Sequence, residues 1–451
     1  MNDTIAAIST SLGVGAISII RVSGNEAIDI VSKIYKGKDL TKASSHTINY
    51  GHIYDNNELI DEVLVMLMKA PKTYTTEDVI EINCHGGIAT TEKILELLLE
   101  NGCRLAEPGE FTKRAFLNGR IDLIKAEAVS DLLSAKNDKA RITAVNTLNG
   151  RLTNIIKELR SKILSIMANI EVNIDYPEYE DAIEITNANL LPMLEDINND
   201  FVKILEDANN CKVIKDGIDI ALVGKPNVGK SSLLNALINE DKAIVTNISG
   251  TTRDIIEGTM NLNGINLNII DTAGIRETDD VVEKIGVDKS KNMINTADLI
   301  ILVLNYNEKL SGDDLEILES VKNKKHIIFV NKTDLDKNID VDNLENYNII
   351  YGNTVDNGGL KDLKDKIIEL FNLDNLESKD LTYLSNARQV STFKTAKKAM
   401  DSAIENTKNL TPIEMVDIDL KQVWDLLGEL IGETYKDELL DELFSKFCLG
   451  K

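Results

Sequence analysis

A glycine-rich loop between an apolar run and an amphipathic segment constrains the fold of this chain most. Residues 218–223 predict a buried strand, and residues 232–237 continue as a helix. Between them, residues 224–231 read Gly-Lys-Pro-Asn-Val-Gly-Lys-Ser, a phosphate-binding loop pattern. The glycines let backbone N–H groups surround phosphate oxygens, Lys230 reaches the outer phosphates, and the Ser231 hydroxyl can bind Mg²⁺. The sequence therefore predicts a nucleotide site that includes Asn227, Val228, Gly229, Lys230, Ser231 and Ser232.

Two later segments extend this site. A predicted strand at 267–270 leads into Asp271, Thr272, Ala273 and Gly274, where an acid can hold the Mg²⁺ shell and a glycine N–H can meet a γ-phosphate. Another strand, at 326–330, leads into Asn331, Lys332, Thr333 and Asp334. The Asp334 carboxylate can accept two hydrogen bonds from guanine, whereas adenine lacks that pair of donors. These segments favour GTP and GDP and disfavour ATP.

A polar stretch between the first two elements is predicted to be a switch that orders around the γ-phosphate. It contains Thr246, Asn247, Ile248, Ser249, Gly250, Thr251 and Thr252, with Thr252 as the expected Mg²⁺ ligand. A plain surface loop is the alternative interpretation. After Gly274 the chain has Ile275, where Ras-like proteins carry a water-orienting glutamine, so hydrolysis needs another orienting group.

The apolar periodicity predicts several domains, as the length of 451 residues also does. Residues 1–118 mix strand and helix patterns and predict an α+β domain. Residues 119–213 and 375–451 carry helical spacing, and residues 214–374 alternate buried strands with amphipathic helices. The predicted fold class is an α+β N-terminal domain, a discontinuous α-helical bundle and an inserted α/β P-loop domain.

The charge balance limits the possible partners. Fifty basic against 74 acidic side chains give a formal net charge of −24, which repels polyanions at long range. Residues 136–162 are locally basic, with seven cations against two acids, and could meet tRNA phosphates, although a solvated helix face is the plainer interpretation. No apolar run is long enough to span a membrane, and the four cysteines show no paired spacing, so we expect a cytoplasmic protein without a membrane partner.

Several short segments resemble the MnmE (TrmE) family of tRNA-modifying GTPases, and the likeness covers nearly the whole chain. They are Arg-Val-Ser-Gly at 21–24, Pro-Gly-Glu-Phe-Thr at 108–112, Arg-Ala-Phe-Leu-Asn-Gly at 114–119, Glu-Val-Asn-Ile-Asp-Tyr-Pro at 171–177, Gly-Thr-Thr-Arg-Asp at 250–254 and Phe-Cys-Leu-Gly-Lys at 447–451. The resemblance implies a homodimer formed through N-terminal domains. It also implies a heterotetramer with a flavin (FAD)-dependent partner of the MnmG type, which modifies carbon 5 of the wobble uridine in certain tRNAs.

The resemblance also implies cofactors and site residues. In the family a K⁺ ion beside the phosphates assists GTP hydrolysis, and its ligands match Asn227, Thr246, Ile248 and Thr251. The water-orienting acid matches Glu283. A 5-formyltetrahydrofolate site matches Arg21, Glu81, Arg120 and Lys451, and the terminal motif places a candidate catalytic thiol at Cys448.

Without the resemblance, the same residues allow simpler structural roles. Asn227 could simply cap the loop, Glu283 could be a solvated acid, and Cys448 could be a small packed residue. Residues 353–354 are Asn-Thr, where related GTPases often carry Ser-Ala against the guanine, so the contribution of that loop to base recognition stays open. The alternative function is a regulatory GTPase of the ribosome-assembly kind, without modification chemistry of its own.

Overall fold

The computed structural model describes residues 3–175, 186–240, 258–271, 296–322, 324–340, 344, 347–373 and 382–450. The chain divides into two compact units. One contains Met1–Leu133, Thr147–Phe201 and Ser391–Lys451, and the other contains Ser134–Asn146 and Val202–Val390. Among the described residues, no helix is both long and apolar enough to cross a membrane.

The first unit begins with a seven-stranded sheet. Its elements are β1 (Ile5–Ile8), β2 (Ile17–Ser23), α1 (Ala27–Ile34), β3 (Tyr35–Gly37), β4 (Thr47–Asp55), β5 (Glu58–Met68), β6 (Val79–His85), α2 (Ile88–Glu100), β7 (Arg104–Leu105) and α3 (Glu110–Leu117). The strand order is β3-β4-β5-β6-β2-β1-β7. The inward side chains of the alternating strands pack against α1 and α2. On the other face, Ile5 and Ala7 of β1 pack with Phe111 of α3, whereas Ile48 and Tyr50 of β4 are exposed.

In the part of the chain that the structure describes, the next helices are α4 (Leu123–Ser134), α5 (Asp138–Leu148), α6 (Arg151–Asp175) and α7 (Asn187–Asp216). Helix α6 buries a stripe at helical spacing that includes Leu152, Ile156, Leu159 and Ile163. This stripe confirms the helical pattern that the sequence predicts for the region.

The described residues of the second unit form a six-stranded sheet. Its elements are β8 (Ile218–Val223), α8 (Lys230–Glu240), β9 (Gly258–Leu262), β10 (Ile265–Asp271), β11 (Leu299–Asn305), α9 (Gly312–Val321), β12 (His326–Asn331), β13 (Ile349–Tyr351) and α10 (Leu360–Leu370). The order is β13-β12-β11-β8-β10-β9, with every pair parallel except β9 with β10. Strand β11 is buried along its whole length, as expected for a parallel sheet covered on both faces.

The helical pattern returns in α11 (Ala387–Lys408), α12 (Ile413–Ile431) and α13 (Asp437–Ser445). Helix α12 packs along α6, and Phe393 of α11 stacks on Phe201 with ring centroids 4.6 Å apart. Helices from both sides of the α/β segment therefore pack together in the first unit, and the predicted fold class is confirmed.

The basic stretch at 136–162 does not present all of its cations to solvent, because the Lys139 Nζ and the Arg160 side chain are both buried. The Arg160 guanidinium is buried, lies 4.0 Å from the centroid of the Trp424 ring, and forms an ion pair with Glu433. The expectation that the whole stretch presents cations to solvent is therefore wrong at Arg160, which connects α6 to α12 instead.

Candidate nucleotide site

The nucleotide site forms at one edge of the second sheet. Strands β8, β10, β11 and β12 run parallel, so their carboxyl ends meet at the same edge. Val223 ends β8, Asp271 ends β10 and Asn331 ends β12. The topology thus brings together three segments that are spread over more than 100 residues of the chain.

Two glycines allow the phosphate loop its close turns. Gly224 has φ of 143°, and a Cβ there would lie 2.4 Å from the Val303 carbonyl oxygen. Gly229 has φ of 102°, and a Cβ there would lie 2.2 Å from the Asn331 amide nitrogen. Both positions combine a left-handed backbone with no room for a side chain, so only glycine fits.

Lys230 begins α8 and turns its ammonium back over the loop. Its Nζ donates hydrogen bonds to the carbonyl oxygens of Gly224 and Lys225, each at 2.7 Å. The side chain is buried, whereas Ser231 and Ser232 lie exposed in the first turn of the helix. The first helical turn and the ammonium therefore provide backbone donors and a positive charge at one place, which suits an anion.

Asn331 connects the phosphate loop to the loop that contains Thr354. Its side-chain amide donates to the Val228 carbonyl at 3.0 Å, and its side-chain oxygen accepts from the Thr354 backbone N–H at 3.2 Å. The residue is 1 % exposed, so both hydrogen bonds are made away from water. The neighbouring Lys332, with φ of 65°, donates to the Asn227 carbonyl at 2.8 Å.

Asp334 lies in the turn after β12 and is exposed. Among the described residues its carboxylate has no hydrogen-bond or ion-pair partner, so both oxygens can accept from a ligand. The 353–358 loop is ordered beside it, because Asn353 and Gly358 form an isolated bridge and the Asp356 carboxylate accepts from the Gly358 N–H. Sequence reasoning left the contribution of residues 353–354 open, since Thr354 contributes through a backbone N–H, which side-chain identity does not reveal.

Part of the predicted site lies outside the described residues. This part comprises Thr246, Asn247, Ile248, Ser249, Gly250, Thr251, Thr252, Thr272, Ala273, Gly274 and Glu283. Asp271 is described as the last residue of β10, and its strand end adjoins Leu222 of β8. The described members of the predicted site are thus brought together, and the switch members stay predictions.

A second cluster of predicted residues, the Arg21 cluster, lies on the first unit and comprises Arg21, Glu81 and Arg120. Arg21 on β2 and Glu81 on β6 are register partners, and the Arg21 Nε donates to the Glu81 carboxylate at 2.9 Å. Arg120 donates to the Tyr74 carbonyl at 3.1 Å, and the guanidinium groups of Arg21 and Arg120 lie 5.6 Å and 4.8 Å from the Tyr74 ring centroid. Two guanidinium groups therefore lie against one aromatic ring, and one of them is paired with a carboxylate, a feature that sequence spacing does not show.

The C-terminal segment contacts this cluster. Gly450 accepts a hydrogen bond from Arg21 at 3.3 Å and another from Ser9 at 3.2 Å, and the Cys448 carbonyl accepts from the Gly109 N–H at 3.3 Å. The Cys448 side chain is exposed, and Lys446 pairs with Glu442 at 2.9 Å. Lys451 lies outside the described residues, directly after Gly450.

A buried charge network lies beneath the start of α3. The Arg114 side chain is 1 % exposed and bonds to Asp3, Glu77 and Glu110, while Arg104 also pairs with Glu110. Burial by itself raises the pKa of Glu110. Hydrogen bonds from Arg104, the Glu107 N–H and Arg114 outweigh it, so the pKa of Glu110 is lowered.

Comparison with known proteins agrees with this geometry. Residues 4–120 match the family described as GTP-binding protein TrmE N-terminus, and residues 123–448 match the MnmE helical domain. A tRNA modification GTPase MnmE from Bacillus cytotoxicus is 52 % identical over 455 residues, which cover 100 % of this chain and 99 % of the relative. The chain belongs to the MnmE family. A second tRNA modification GTPase MnmE, from Bacillus mycoides, is 51 % identical over the same shares of both chains.

Membership in the MnmE family confirms the resemblance drawn from the short sequence segments. The family match spans both sides of the α/β segment, in keeping with helices α4 to α7 before it and α11 to α13 after it. The phosphate loop, Asn331 and the cluster of Arg21, Glu81 and Arg120 are the predicted site residues for which the structure gives geometry.

Proposed function

We propose that this chain hydrolyses GTP to GDP and phosphate as a component of tRNA modification. The observation that carries the proposal is the double hydrogen bonding of Asn331, which joins the phosphate loop to the 353–358 loop beside Asp334. Asn331 thereby fixes the loop that would hold the phosphates relative to the segment beside the carboxylate that would select guanine. The MnmE-family relatives named above are tRNA modification GTPases, which supplies the class of process.

The residues present fit a metal-bound nucleotide. The Ser231 hydroxyl lies exposed in the first turn of α8, next to the Lys230 ammonium, and an oxygen ligand at this place suits Mg²⁺. A bound Mg²⁺ neutralises phosphate charge, while Lys230 holds the phosphates and the loop N–H groups orient them. Thr252 completes the proposed Mg²⁺ ligand pair.

For hydrolysis we propose that Glu283 orients the attacking water, since Ile275 cannot. We also propose that Asn227, Thr246, Ile248 and Thr251 hold K⁺, which supplies a fixed positive charge when bound. Asn227 is exposed in the loop with φ of 64°, so its side chain is available to a ligand. Hydrolysis should be faster in K⁺ than in Na⁺ and should collapse in E283A with unchanged GDP affinity; equal rates in the two salts would refute the K⁺ role.

A reduced folate is proposed for the Arg21 cluster. Glu81 offers carboxylate oxygens to the N–H groups of a pterin, and Arg21, Arg120 and Lys451 offer positive charge to its anionic tail. We assign Cys448 to the same neighbourhood, because its carbonyl is fixed by Gly109. Calorimetry with 5-formyltetrahydrofolate tests this assignment, and E81Q should weaken binding.

A homodimer through the N-terminal domain is supported by the outward face of the first sheet. Ile48, Tyr50 and Leu64 are 62 %, 58 % and 45 % exposed, and Tyr50 and Leu64 are direct register partners. Adjacent exposed apolar side chains on a sheet face mark an interaction surface. Light scattering should give a dimer for the wild type and a monomer for Y50E; a monomeric wild type would contradict the proposal.

The full proposal is modification of carbon 5 of the wobble uridine in certain tRNAs, together with an FAD-dependent partner of the MnmG type and in the cytoplasm. In the described part of the chain all four cysteines are free thiols, which agrees with a reducing compartment. Nucleoside analysis of tRNA from cells lacking the chain should show loss of the C5 group. Wild-type chain should restore it and K230A should not. Unaltered wobble uridine would favour a regulatory GTPase instead.

A further inference from the structure

Lys225 links the phosphate loop to a helix that lies beside it. The Lys225 carbonyl accepts a hydrogen bond from Lys230, so its backbone forms part of the loop interior. Its side chain points the other way and forms an ion pair with Asp314, with 2.5 Å between Nζ and Oδ2. One residue therefore joins the beginning of the phosphate loop to α9.

Asp314 is itself held in place. Its Oδ2 accepts hydrogen bonds from the Ser311 N–H at 2.9 Å and from the Ser311 hydroxyl at 3.0 Å, in a capping box at the start of α9. Its side chain is 6 % exposed, compared with 22 % for Lys225. A carboxylate fixed by three donors and removed from water is a rigid anchor, because releasing its cation would leave a buried charge unpaired.

The packing around this ion pair is open. A small cleft lies beside it, lined by Lys225, Val228, Asn305, Lys309, Asp314 and Ile339. Lys225 and Asp314 both line this cleft, and their ion pair directly connects the phosphate loop to α9.

We propose that Lys225 is a positioning residue that holds the phosphate loop in its nucleotide-binding conformation through Asp314. The inference rests on the proposed GTP function and goes beyond it, because Lys225 acts on the loop and touches no phosphate in this role. A loop that is tethered before binding loses less conformational freedom when it closes on phosphates. Loss of the tether should weaken GDP and GTP equally, since the ion pair lies away from the γ-phosphate.

The test measures Mg²⁺-dependent GDP and GTP affinity in the full chain by calorimetry. K225M should raise both Kd values by about three- to tenfold, the range of a single partly buried ion pair. K225R should stay within twofold of the wild type, because it restores the cation. K309M, which removes the same charge from the rim of the same cleft, serves as the matched control and should leave both Kd values unchanged.

A double-mutant cycle separates this role from simple stability. D314N should raise the Kd values for GDP and GTP. The double variant K225M/D314N should have Kd values no higher than those of the single variant that binds less tightly. Thermal unfolding, measured in parallel, shows whether D314N acts only by uncapping α9. The inference is overturned if K225M binds within twofold of the wild type or if the two single effects add. Failure of the wild type to bind either nucleotide would instead remove the proposed GTP function.

Discussion

The side-chain amide of Asn331 donates a hydrogen bond to the carbonyl of Val228 at 3.0 Å, across 103 positions of sequence. This hydrogen bond connects the end of β12 to the backbone of the phosphate loop. The nucleotide site therefore depends on a residue that need not touch the phosphates.

Replacing Asn331 with aspartate should disrupt both loops. The substituted carboxylate would face the Val228 carbonyl oxygen with no proton to donate, at a position 1 % exposed. We expect GDP affinity to fall at least about tenfold, which corresponds to about 1.4 kcal/mol. N261D makes the same charge change at an exposed position on β9 and should bind GDP normally. Normal GDP binding by N331D would contradict the bridging role.

Replacing Asp334 with asparagine should relax the base preference. One oxygen of the carboxylate pair becomes a donor, so guanine loses an acceptor, at a cost of about 1–3 kcal/mol. The ratio of ATP to GTP dissociation constants should therefore fall about tenfold or more. D336N changes a nearby acid and is the control. Unchanged selectivity in D334N would show that base recognition lies elsewhere.

Replacing Arg160 with methionine should destabilise the helical part of the first unit. The change removes the stacking on Trp424 and the ion pair with Glu433, and we expect a loss of about 2 kcal/mol in the free energy of unfolding. Trp424 is the single tryptophan of the chain, so its fluorescence follows urea unfolding at this contact. K157M on the exposed face of α6 is the control, and equal midpoints for the two variants would contradict the assignment.

The Glu110 network predicts a specific loss of stability in acid. The pKa of Glu110 lies below its ordinary value of 4.5, and the pKa of Asp3 lies below 3.8. Lowered folded-state values stabilise the fold above these pH values, and the stabilisation is lost as the pH falls through the folded pKa. Below about pH 4.5 the wild type should therefore lose stability progressively.

The variant E110Q tests this directly. It should be less stable than the wild type at pH 7 by about 2 kcal/mol, since Arg104 and Arg114 lose a buried anion. The difference should shrink as the pH falls from 5 towards 3, followed by circular dichroism in urea. E107Q alters the exposed neighbour and should keep the wild-type slope. A constant difference at all pH values would show that Glu110 does not carry the effect.

The nucleotide site can be predicted where its residues stand at characteristic spacings from the ends of buried strands. Lys230 and Asn331 occupy fixed places relative to buried strands, so spacing and strand direction predict that both lie at the same edge of the sheet. The ion pair between Lys225 and Asp314 spans 89 positions and depends on how α9 packs, which a single sequence does not encode locally. Charge alone likewise gives no sign that Arg160 is buried.

The Arg21 cluster also contains a contact that the sequence does not predict. Family resemblance pointed to Arg21, Glu81 and Arg120, but not to the aromatic ring between the two arginines. Tyr74 reaches that position because its hydroxyl bonds to Thr112 and its carbonyl to Arg120, contacts that form only in the folded domain. Residues brought together by tertiary packing become visible only in the structure.

The most direct test is an equilibrium titration of the purified full-length chain with GDP in the presence of Mg²⁺, followed by competition with GTP and ATP. The account predicts saturable binding of one GDP per chain, displaced by GTP and not by ATP. Absence of saturable GDP binding, or displacement by ATP as effective as by GTP, would contradict it.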